Sequence, residues 1–358
     1  MRMQLHPDKS RFRWKQEVFL VLATALLSLM STSPLQAQPP NARIGEAVPR
    51  DVRELYEKGM QFLAKTQAES GEWTGGQQGP GVTGMALMVF LASGEDPNFG
   101  IYSSNVRRAI RSIVAAQDGN TGVMGSSMYQ HGFAMLALAE AYGAVDDRQV
   151  WPDGKKPRSI GKALELAVRA AVTSQKKNSL GAWRYSPGST DADTSVSGAV
   201  LVGLLAARNA GIEVPDESID RAISYYVSMT SSSGEVGYSG LGGFGESLPR
   251  SSIATLVFAL AHRKDLSQFK AALAHLVERI ENTGQNGGYL EYQRYYQAQA
   301  LFQGDVEAWK KWNQLLIRQL KSTQIGDGSF PGQFVPASTP LTLLAVALNF
   351  RFLPIYER

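Results

Sequence analysis

The segment STDADTSVSGAV at residues 189–200 places two carboxylates, Asp191 and Asp193, directly before an apolar run. A carboxyl group that is held protonated in a dry cavity can act as a general acid, because burial raises its pKa. The two aspartates are therefore candidate catalytic residues. A third candidate is His131, which lies beside Gly132 at the start of another apolar segment and could serve as a general base or a ligand donor.

Each of these candidates also has a structural interpretation, which we favour. Asp193 lies where a helix N-cap is expected, and its side chain would accept a hydrogen bond from the backbone N–H of Ser195 or Val196. Asp191 would then precede the helix and face the cavity or solvent. His131 would be buried and hydrogen-bonded to the next loop. A capping residue can also contact a ligand, so Asp193 stays a candidate in both interpretations.

Other polar and aromatic residues fall at the starts of apolar segments or in a Gly-rich loop at 237–245. They are Thr83, Tyr129, Tyr238, Phe244, Arg250, Ser251, Tyr292 and Thr339. Together they predict a mixed polar and aromatic cavity mouth. We take Tyr129, Arg250 and Tyr292 as the candidate ligand-binding residues.

The acidic residues near these segments also allow glycan cleavage. Carbohydrate-active enzymes that fold as rings of helical hairpins use an acid and a second carboxylate about 5 to 9.5 Å apart. Asp191, Asp193, Glu246 and Glu291 could provide such a pair, although nothing in the sequence pairs them.

A repeated helical unit must position all of these residues. An amphipathic helix ends in a Gln-containing turn, a Gly-rich loop with an aromatic follows, and a second helix rich in Gly, Ala and Leu begins, as in residues 55–94. The first helix of each pair has one charged face, whereas the second is nearly uncharged and suits burial on most sides. Six such hairpins predict an all-α fold, a single (α/α)6 toroid with one cavity.

Three loops share a finer pattern. Gln67 is followed by Gly71-Glu72-Trp73, Gln175 by Gly181-Ala182-Trp183, and Gln324 by Gly328-Ser329-Phe330. The Gln side chain can satisfy unpaired loop and helix-end groups, and Gly permits a positive φ. We therefore expect these loops to tie each repeat to the next.

This pattern resembles the Gln-Trp repeat of the terpenoid cyclase and protein prenyltransferase superfamily, whose members are (α/α)6 toroids. Residues 129–143 and 295–330 look like the exported prenyltransferase/squalene-oxidase-repeat proteins of planctomycete type. The resemblance covers about 300 residues. It is specific for the fold and weak for function, because the motif lies in loops that build the barrel.

The resemblance implies two chemistries. Zinc-dependent prenyl transfer in this superfamily needs an Asp, a Cys and a His, and this chain has no cysteine. Class II terpene cyclases, such as squalene-hopene cyclase, protonate an alkene with the middle Asp of Asp-x-Asp-Asp. In one alignment with this pattern, Asp193 matches the acid and Thr194 replaces the last Asp. In the other alignment, Asp193 matches the last Asp and Ala192 replaces the acid. These cyclases also resemble two barrels, whereas this chain has residues for one.

The N-terminal 37 residues have the features of a secretory signal. Basic side chains come first, an apolar run extends from Val18 to Met30, and small residues lead to Ala37, after which we expect cleavage. The 13 apolar residues make about 20 Å of helix, short of the roughly 30 Å hydrocarbon core. We predict a signal peptide at 1–37, a linker at 38–49 and the toroid at 50–358, with an N-terminal membrane anchor as the alternative.

Composition excludes several further classes. The net charge is +4, but the predicted signal carries three of these positive charges, so the mature chain has no basic stripe for nucleic acid. The absence of cysteine excludes disulfides, thiolate metal sites and cysteine nucleophiles. No cofactor or metal site is predicted.

The sequence thus predicts a periplasmic or secreted repeat protein without the known catalytic sites of its superfamily. It would bind a small molecule, a lipid, a glycan or an extracytoplasmic protein at the barrel mouth, and it could associate peripherally with a membrane. The alternatives are a carbohydrate-active enzyme with paired carboxylates and a degenerate class II terpene cyclase that uses Asp193 as its acid.

Overall fold

The regular structure of the chain is helical. A computed structural model describes residues 48–151, 157–240, 243–281 and 289–356, and these ranges contain thirteen α-helices, one short 3-10 helix and no β-strand. The predicted signal peptide and the linker up to residue 47 lie outside the described residues. Within the described ranges, no helix has the length and apolar character needed to cross a membrane.

Six helices form an outer layer, in which one face of each helix is buried and the other is charged. In the first of them, Val52, Leu55, Tyr56, Met60 and Leu63 recur at spacings of one, three or four residues and face inwards. The outer helices are α1 (Arg50–Thr66), α3 (Ser103–Ala115), α6 (Ile160–Lys176), α8 (Asp216–Ser228), α10 (Ser267–Val277) and α12 (Val306–Thr323).

Six further helices form an inner layer with no exposed face of comparable size. Every residue of the first inner helix is buried, because its side chains are small or apolar on all sides. The inner helices are α2 (Pro80–Leu91), α4 (Met128–Ala141), α7 (Thr194–Asn209), α9 (Leu248–Leu260), α11 (Leu290–Gly304) and α13 (Ser338–Ala347). The outer and inner helices of all six predicted hairpins are therefore present.

The inner helices form a closed ring. Each packs against the next in chain order, from α2 through α4, α7, α9 and α11 to α13, and α13 packs against α2. This closed order is that of an (α/α)6 toroid, and it confirms the predicted fold class. It also places α2 opposite α9, and α4 opposite α11.

The Gln-containing loops link neighbouring outer helices, as the sequence predicts. The Nε2 group of Gln67 donates to the Gly71 carbonyl of its own loop and to the Asn105 carbonyl of α3, both at 3.0 Å. Gln175 and Gln324 do the same in their own hairpins. A fourth copy at Gln117 was not predicted, because Met124 stands there in place of the aromatic residue.

One end of the barrel is closed by the C-terminal segment. The 3-10 helix Pro354–Tyr356 buries Ile355 and Tyr356, and the Tyr356 carbonyl accepts a hydrogen bond of 3.2 Å from Gln303 at the end of α11. This segment and the four-residue helix α5 (Asp147–Val150) were not predicted. The opening of the barrel lies at the other end, where the inner helices begin.

Candidate functional site

A cavity of about 530 Å³ lies at the mouth of the barrel. All six inner helices contribute to it near their N-termini, and five of the loops that precede these helices complete it. Its lining residues are Gln77, Gly81, Val82, Met85, Tyr129, Gln130, Phe133, Tyr185, Ser195, Tyr238, Ser247, Pro249, Arg250, Tyr289, Tyr292, Phe334, Ala337 and Leu341. The three predicted ligand-binding residues, Tyr129, Arg250 and Tyr292, are all among them.

Aromatic side chains from opposite helices meet across the centre of the barrel. The rings of Tyr129 on α4 and Tyr292 on α11 have centroids 6.1 Å apart, and those of Phe133 and Tyr295 are 5.8 Å apart. Burial raises the pKa of Tyr129 and of Tyr292 well above the ordinary value, so both hydroxyls stay protonated. These contacts form the floor of the cavity.

The contact between α4 and α11 divides the cavity into two halves of different character. On the side of α7 and α9, the lining consists of Tyr185, Ser195, Tyr238, Ser247, Pro249 and Arg250. On the side of α2 and α13, it consists of Gln77, Gly81, Val82, Met85, Phe334, Ala337 and Leu341. We call these the polar half and the apolar half.

Arg250 supplies the only cation among the described residues that line the cavity. Its Nη2 donates to the Gly245 carbonyl at 3.1 Å, while its buried Nε has no hydrogen-bond partner within the described ranges. The guanidinium carbon lies 6.0 Å from the centre of the Tyr238 ring. Burial lowers the pKa of Arg250, but an arginine remains charged at neutral pH.

Asp193 is the N-cap of α7, which confirms the structural interpretation of this residue. Its Oδ1 accepts a hydrogen bond of 2.9 Å from the backbone N–H of Val196. Asp193 is fully buried, and its Oδ2 has no hydrogen-bond partner in the part of the chain that the structure describes. It lies behind the cavity wall, because its neighbours Ser195 and Tyr238 line the cavity and Asp193 does not.

The Asp193 carboxylate interacts with the hydroxyl of Tyr238, a residue that lines the cavity. This interaction raises the pKa of Tyr238, and burial and Tyr185 raise it further. Tyr238 therefore presents a protonated hydroxyl and an aromatic face to the polar half.

The structure does not bring the other predicted carboxylates together. Asp191 is exposed and pairs with Arg184 at 2.5 Å. Glu246 pairs with Arg279 on the surface. Glu291 is buried and accepts a hydrogen bond of 2.6 Å from the Ser338 hydroxyl, which fixes the loop before α13. None of the described lining residues is an Asp or a Glu, so the predicted carboxylate pair is not formed at the cavity.

His131 is buried away from the cavity, and both of its ring nitrogens are engaged. Nδ1 accepts a hydrogen bond of 3.0 Å from the backbone N–H of Met124, and Nε2 donates to the Ala167 carbonyl at 3.1 Å. These partners fix a neutral tautomer, and burial lowers the pKa of His131 to about 4. His131 is therefore the buried structural histidine that we favour from the sequence, with partners in its own loop and on α6, and neither nitrogen is available as a general base or ligand donor.

Several of the other residues predicted at the mouth hold the scaffold instead. The hydroxyl of Ser251 donates to the Gly234 carbonyl at 2.9 Å, and Thr339 accepts a hydrogen bond of 3.0 Å from the Phe330 N–H. Neither residue lines the cavity, and the same is true of Thr83 and Phe244.

Sequence reasoning missed lining residues that come from loops. Tyr289 and Phe334 stack on each other, with ring centroids 5.2 Å apart, and both line the cavity. Tyr185 lines it from the loop before α7. The sequence signal that could have identified these lining residues is an aromatic residue in the loop shortly before an inner helix. In the described ranges, no group of three or more His, Asp or Glu side chains has the arrangement of a metal site.

Comparison with known families identifies the chain at the level of the family. It belongs to the family described as Domain of unknown function (DUF6288), whose model matches residues 53–316. A search of the curated proteins gives no match.

Solved structures with the same architecture include two kinds of enzyme. The GH76A alpha-1,6-mannanase of a Salegentibacter species is similar over 84% of this chain and 98% of the mannanase, with a TM-score of 0.60 and 12% identity. A variant of a type II terpene cyclase from Scytonema, in complex with its substrate geranylgeranyl dihydroxybenzoate, is similar over 85% of this chain and 98% of the cyclase, with a TM-score of 0.59 and 15% identity. At these identities, the likeness shows the toroid fold alone.

Proposed function

We propose that this member of the DUF6288 family holds a small organic ligand in the cavity at the barrel mouth. The observation that carries the proposal is the aromatic-lined cavity itself, to which all six inner helices contribute. Its volume of about 530 Å³ lies within the roughly 300–1,000 Å³ of typical small-molecule sites. A ring of six helices that pack against one another also gives the cavity a rigid frame.

The lining favours binding over glycan cleavage. Hydrolysis by paired carboxylates requires an acid and a second carboxylate on either side of the bond to be broken. Asp191 and Glu246 are held in surface ion pairs, and Glu291 is held by Ser338. The similarity to the mannanase therefore supports no glycosidase activity in this chain.

A neutral fluorescent probe tests the proposal. N-phenyl-1-naphthylamine should bind saturably with one site per chain. Met85→Trp in the apolar half and Ser195→Trp in the polar half should each weaken binding by at least about tenfold, or about 1.4 kcal/mol, because the new ring fills the cavity. Ser224→Trp, on the exposed face of α8, is the matched control.

The outcome is decided by the comparison of these variants, each checked for native circular dichroism and melting temperature. Saturable binding that Met85→Trp and Ser195→Trp weaken, and Ser224→Trp does not, supports the proposal. Absence of binding, or equal binding by all three variants, contradicts it.

A second candidate function is proton-initiated cyclisation with Asp193 as the acid. The buried and unpartnered Oδ2 of Asp193 beside the cavity wall favours it. The length of the chain does not oppose it, because the match to the Scytonema cyclase spans nearly that whole chain. Two observations oppose it. Thr194 stands where the Asp-x-Asp-Asp pattern of class II terpene cyclases has its last Asp, and Oδ1 of Asp193 caps α7.

This second function has a direct assay. A cyclase would convert a linear polyprene into cyclic isomers of unchanged mass, separable by gas chromatography, and Asp193→Asn would abolish them. If squalene, geranylgeraniol and a geranylgeranylated phenol all remain unchanged with the wild-type protein, this candidate is discarded.

Export, kinship with planctomycete-type repeat proteins, and association with a membrane surface or an extracytoplasmic protein remain parts of this proposal. They are supported by the composition of residues 1–37 and by the two stretches noted in the sequence. Fractionation of the native cells, with an antibody against the toroid, tests export. Recovery of uncleaved protein in the cytoplasm would contradict it.

A further inference from the structure

The two halves of the cavity differ in chemistry, and their separation is fixed by the fold. The ring order places α9 opposite α2, and the Tyr129–Tyr292 contact lies between them. A ligand that spans the cavity over this contact therefore meets hydroxyl and guanidinium groups at one end and mainly apolar side chains, with Gln77 as the polar exception, at the other.

Arg250 is incompletely paired in the polar half. It makes no ion pair within the described residues, since its hydrogen bond goes to the neutral Gly245 carbonyl. Its buried Nε has no acceptor, although buried donors are nearly always paired. The nearby Asp193 carboxylate acts on Arg250 without forming an ion pair, and it stands behind the wall. A planar guanidinium that lines the cavity matches an oxyanion, which would accept from the Nη groups on the cavity side because the Nε atom is buried behind them.

Hydroxyl donors surround the same position. The side chains of Tyr185, Ser195 and Ser247 line the polar half, and each carries an O–H that can donate to an anion, whereas the Tyr238 hydroxyl interacts with Asp193. The apolar half offers Val82, Met85 and Leu341 for an apolar body.

On the basis of the proposed function, we infer that the ligand is a small anionic amphiphile, with an oxyanion such as a carboxylate against Arg250 and an apolar body in the half formed by α2 and α13. A volume of about 530 Å³ suits a single-chain or fused-ring acid and is too small for a two-chain phospholipid. The inference therefore concerns a free small molecule and not a membrane lipid.

Two probes with one scaffold separate this inference from the proposed function. N-phenyl-1-naphthylamine is neutral, and 8-anilinonaphthalene-1-sulfonate carries the same rings with a sulfonate, which stands in for a carboxylate. We expect the wild-type protein to bind the sulfonate at least about tenfold more tightly, because the sulfonate adds a charge-assisted hydrogen bond to the Arg250 guanidinium.

Variants at Arg250 assign that preference to the guanidinium. Arg250→Met should weaken the sulfonate by about tenfold and change the neutral probe by less than about twofold. Arg250→Gln, which keeps polar packing, serves as a second variant if Arg250→Met does not fold. Arg279→Met removes a surface cation that pairs with Glu246 and is the matched control, in which both affinities should be unchanged.

The outcomes point in separate directions. Equal affinity of the wild-type protein for the two probes, or equal weakening of both by the Arg250 variants, overturns the anionic assignment and leaves the cavity as a binding site. Failure of both probes to bind overturns the proposed function itself. Selective loss of sulfonate binding in the Arg250 variants supports the inference.

Discussion

His131 and Ser197 occupy equivalent positions in neighbouring hairpins. Each accepts a hydrogen bond from the backbone N–H of the loop residue two positions after a positive-φ glycine: Met124 at 3.0 Å for His131 and Trp183 at 2.9 Å for Ser197. His131 therefore accepts in the second hairpin the same loop hydrogen bond that the Ser197 hydroxyl accepts in the third. Its role is to fix a loop onto an inner helix.

The buried neutral His131 makes stability depend on pH. In the unfolded chain its pKa is near 6.5, whereas burial lowers the folded value to about 4. Between these values the unfolded state binds more protons, so the free energy of unfolding should fall as the pH falls, by about 3 kcal/mol at pH 4. Urea denaturation from pH 7 to pH 4 measures this loss.

The variant His131→Asn tests whether His131 causes this dependence of the free energy of unfolding on pH. It should be less stable at pH 7, because two buried backbone groups lose their partner, and its stability should change less between pH 6.5 and 4. His262→Asn, at an exposed histidine with φ 59°, should retain the wild-type slope. An unchanged slope in His131→Asn would assign the effect to other groups.

The cap formed by Asp193 predicts different effects for two substitutions. Asp193→Ala removes the acceptor for the Val196 N–H and should lower the free energy of unfolding by about 1–2 kcal/mol, whereas Asp193→Asn retains a capping oxygen and should stay within about 0.5 kcal/mol. Binding of N-phenyl-1-naphthylamine should be unchanged in Asp193→Asn. Stable variants that no longer bind the probe would instead place Asp193 in the binding site.

Glu291 should control the shape of the apolar half through a loop. Its Oε1 accepts from the Ser338 hydroxyl at 2.6 Å and from the Phe334 N–H at 3.2 Å, and Phe334 lines the cavity. Glu291→Ala should lower stability by about 2 kcal/mol and weaken the neutral probe, because the Ser338 hydroxyl and the Phe334 N–H both lose Oε1 as their acceptor. Glu291→Gln, which keeps an acceptor oxygen, should lose less. A Glu291→Ala protein with unchanged stability and unchanged probe affinity would rule out this loop-holding role.

Gln324 helps to close the barrel by joining the loop after α12 to α1. Its Nε2 donates to the Gly328 carbonyl at 3.0 Å and to the Leu55 carbonyl of α1 at 2.9 Å. Gln324→Ala should lower the free energy of unfolding by about 1–3 kcal/mol, since two carbonyls lose their donor. Gln61→Ala, at an exposed position with one weak contact, should cost less than about 0.5 kcal/mol. Equal stability of the two variants in urea would contradict a closing role for Gln324.

The sequence was sufficient for the helices and their layers, because burial of one face leaves a helical period in the outer helices, and burial of all faces leaves the inner helices with few charged residues and no such period. The four-residue helix at Asp147 is too short to carry a period and was missed. The fourth Gln-containing loop was missed because Met124 fills the aromatic position.

The site was only partly predictable, because residue type does not reveal which group a side chain meets. Arg250 and Tyr292 were found from their place at the start of inner helices. Glu291 has the same kind of position, yet its carboxylate is held by Ser338 and faces away from the ligand space. Tyr185 reaches the cavity from a loop, whose course depends on hydrogen bonds between distant residues.

The closed ring has a consequence for how this protein can lose structure. In an open array of helical hairpins, the terminal repeats have one neighbour and can fray independently of the rest. Here the last Gln-containing loop is seated on α1, so closely that a Cβ at Gly328 would lie 2.2 Å from the Lys58 carbonyl oxygen. Every hairpin thus has two neighbours. The barrel should melt as one cooperative unit, and removal of either end hairpin should destabilise the mouth as a whole.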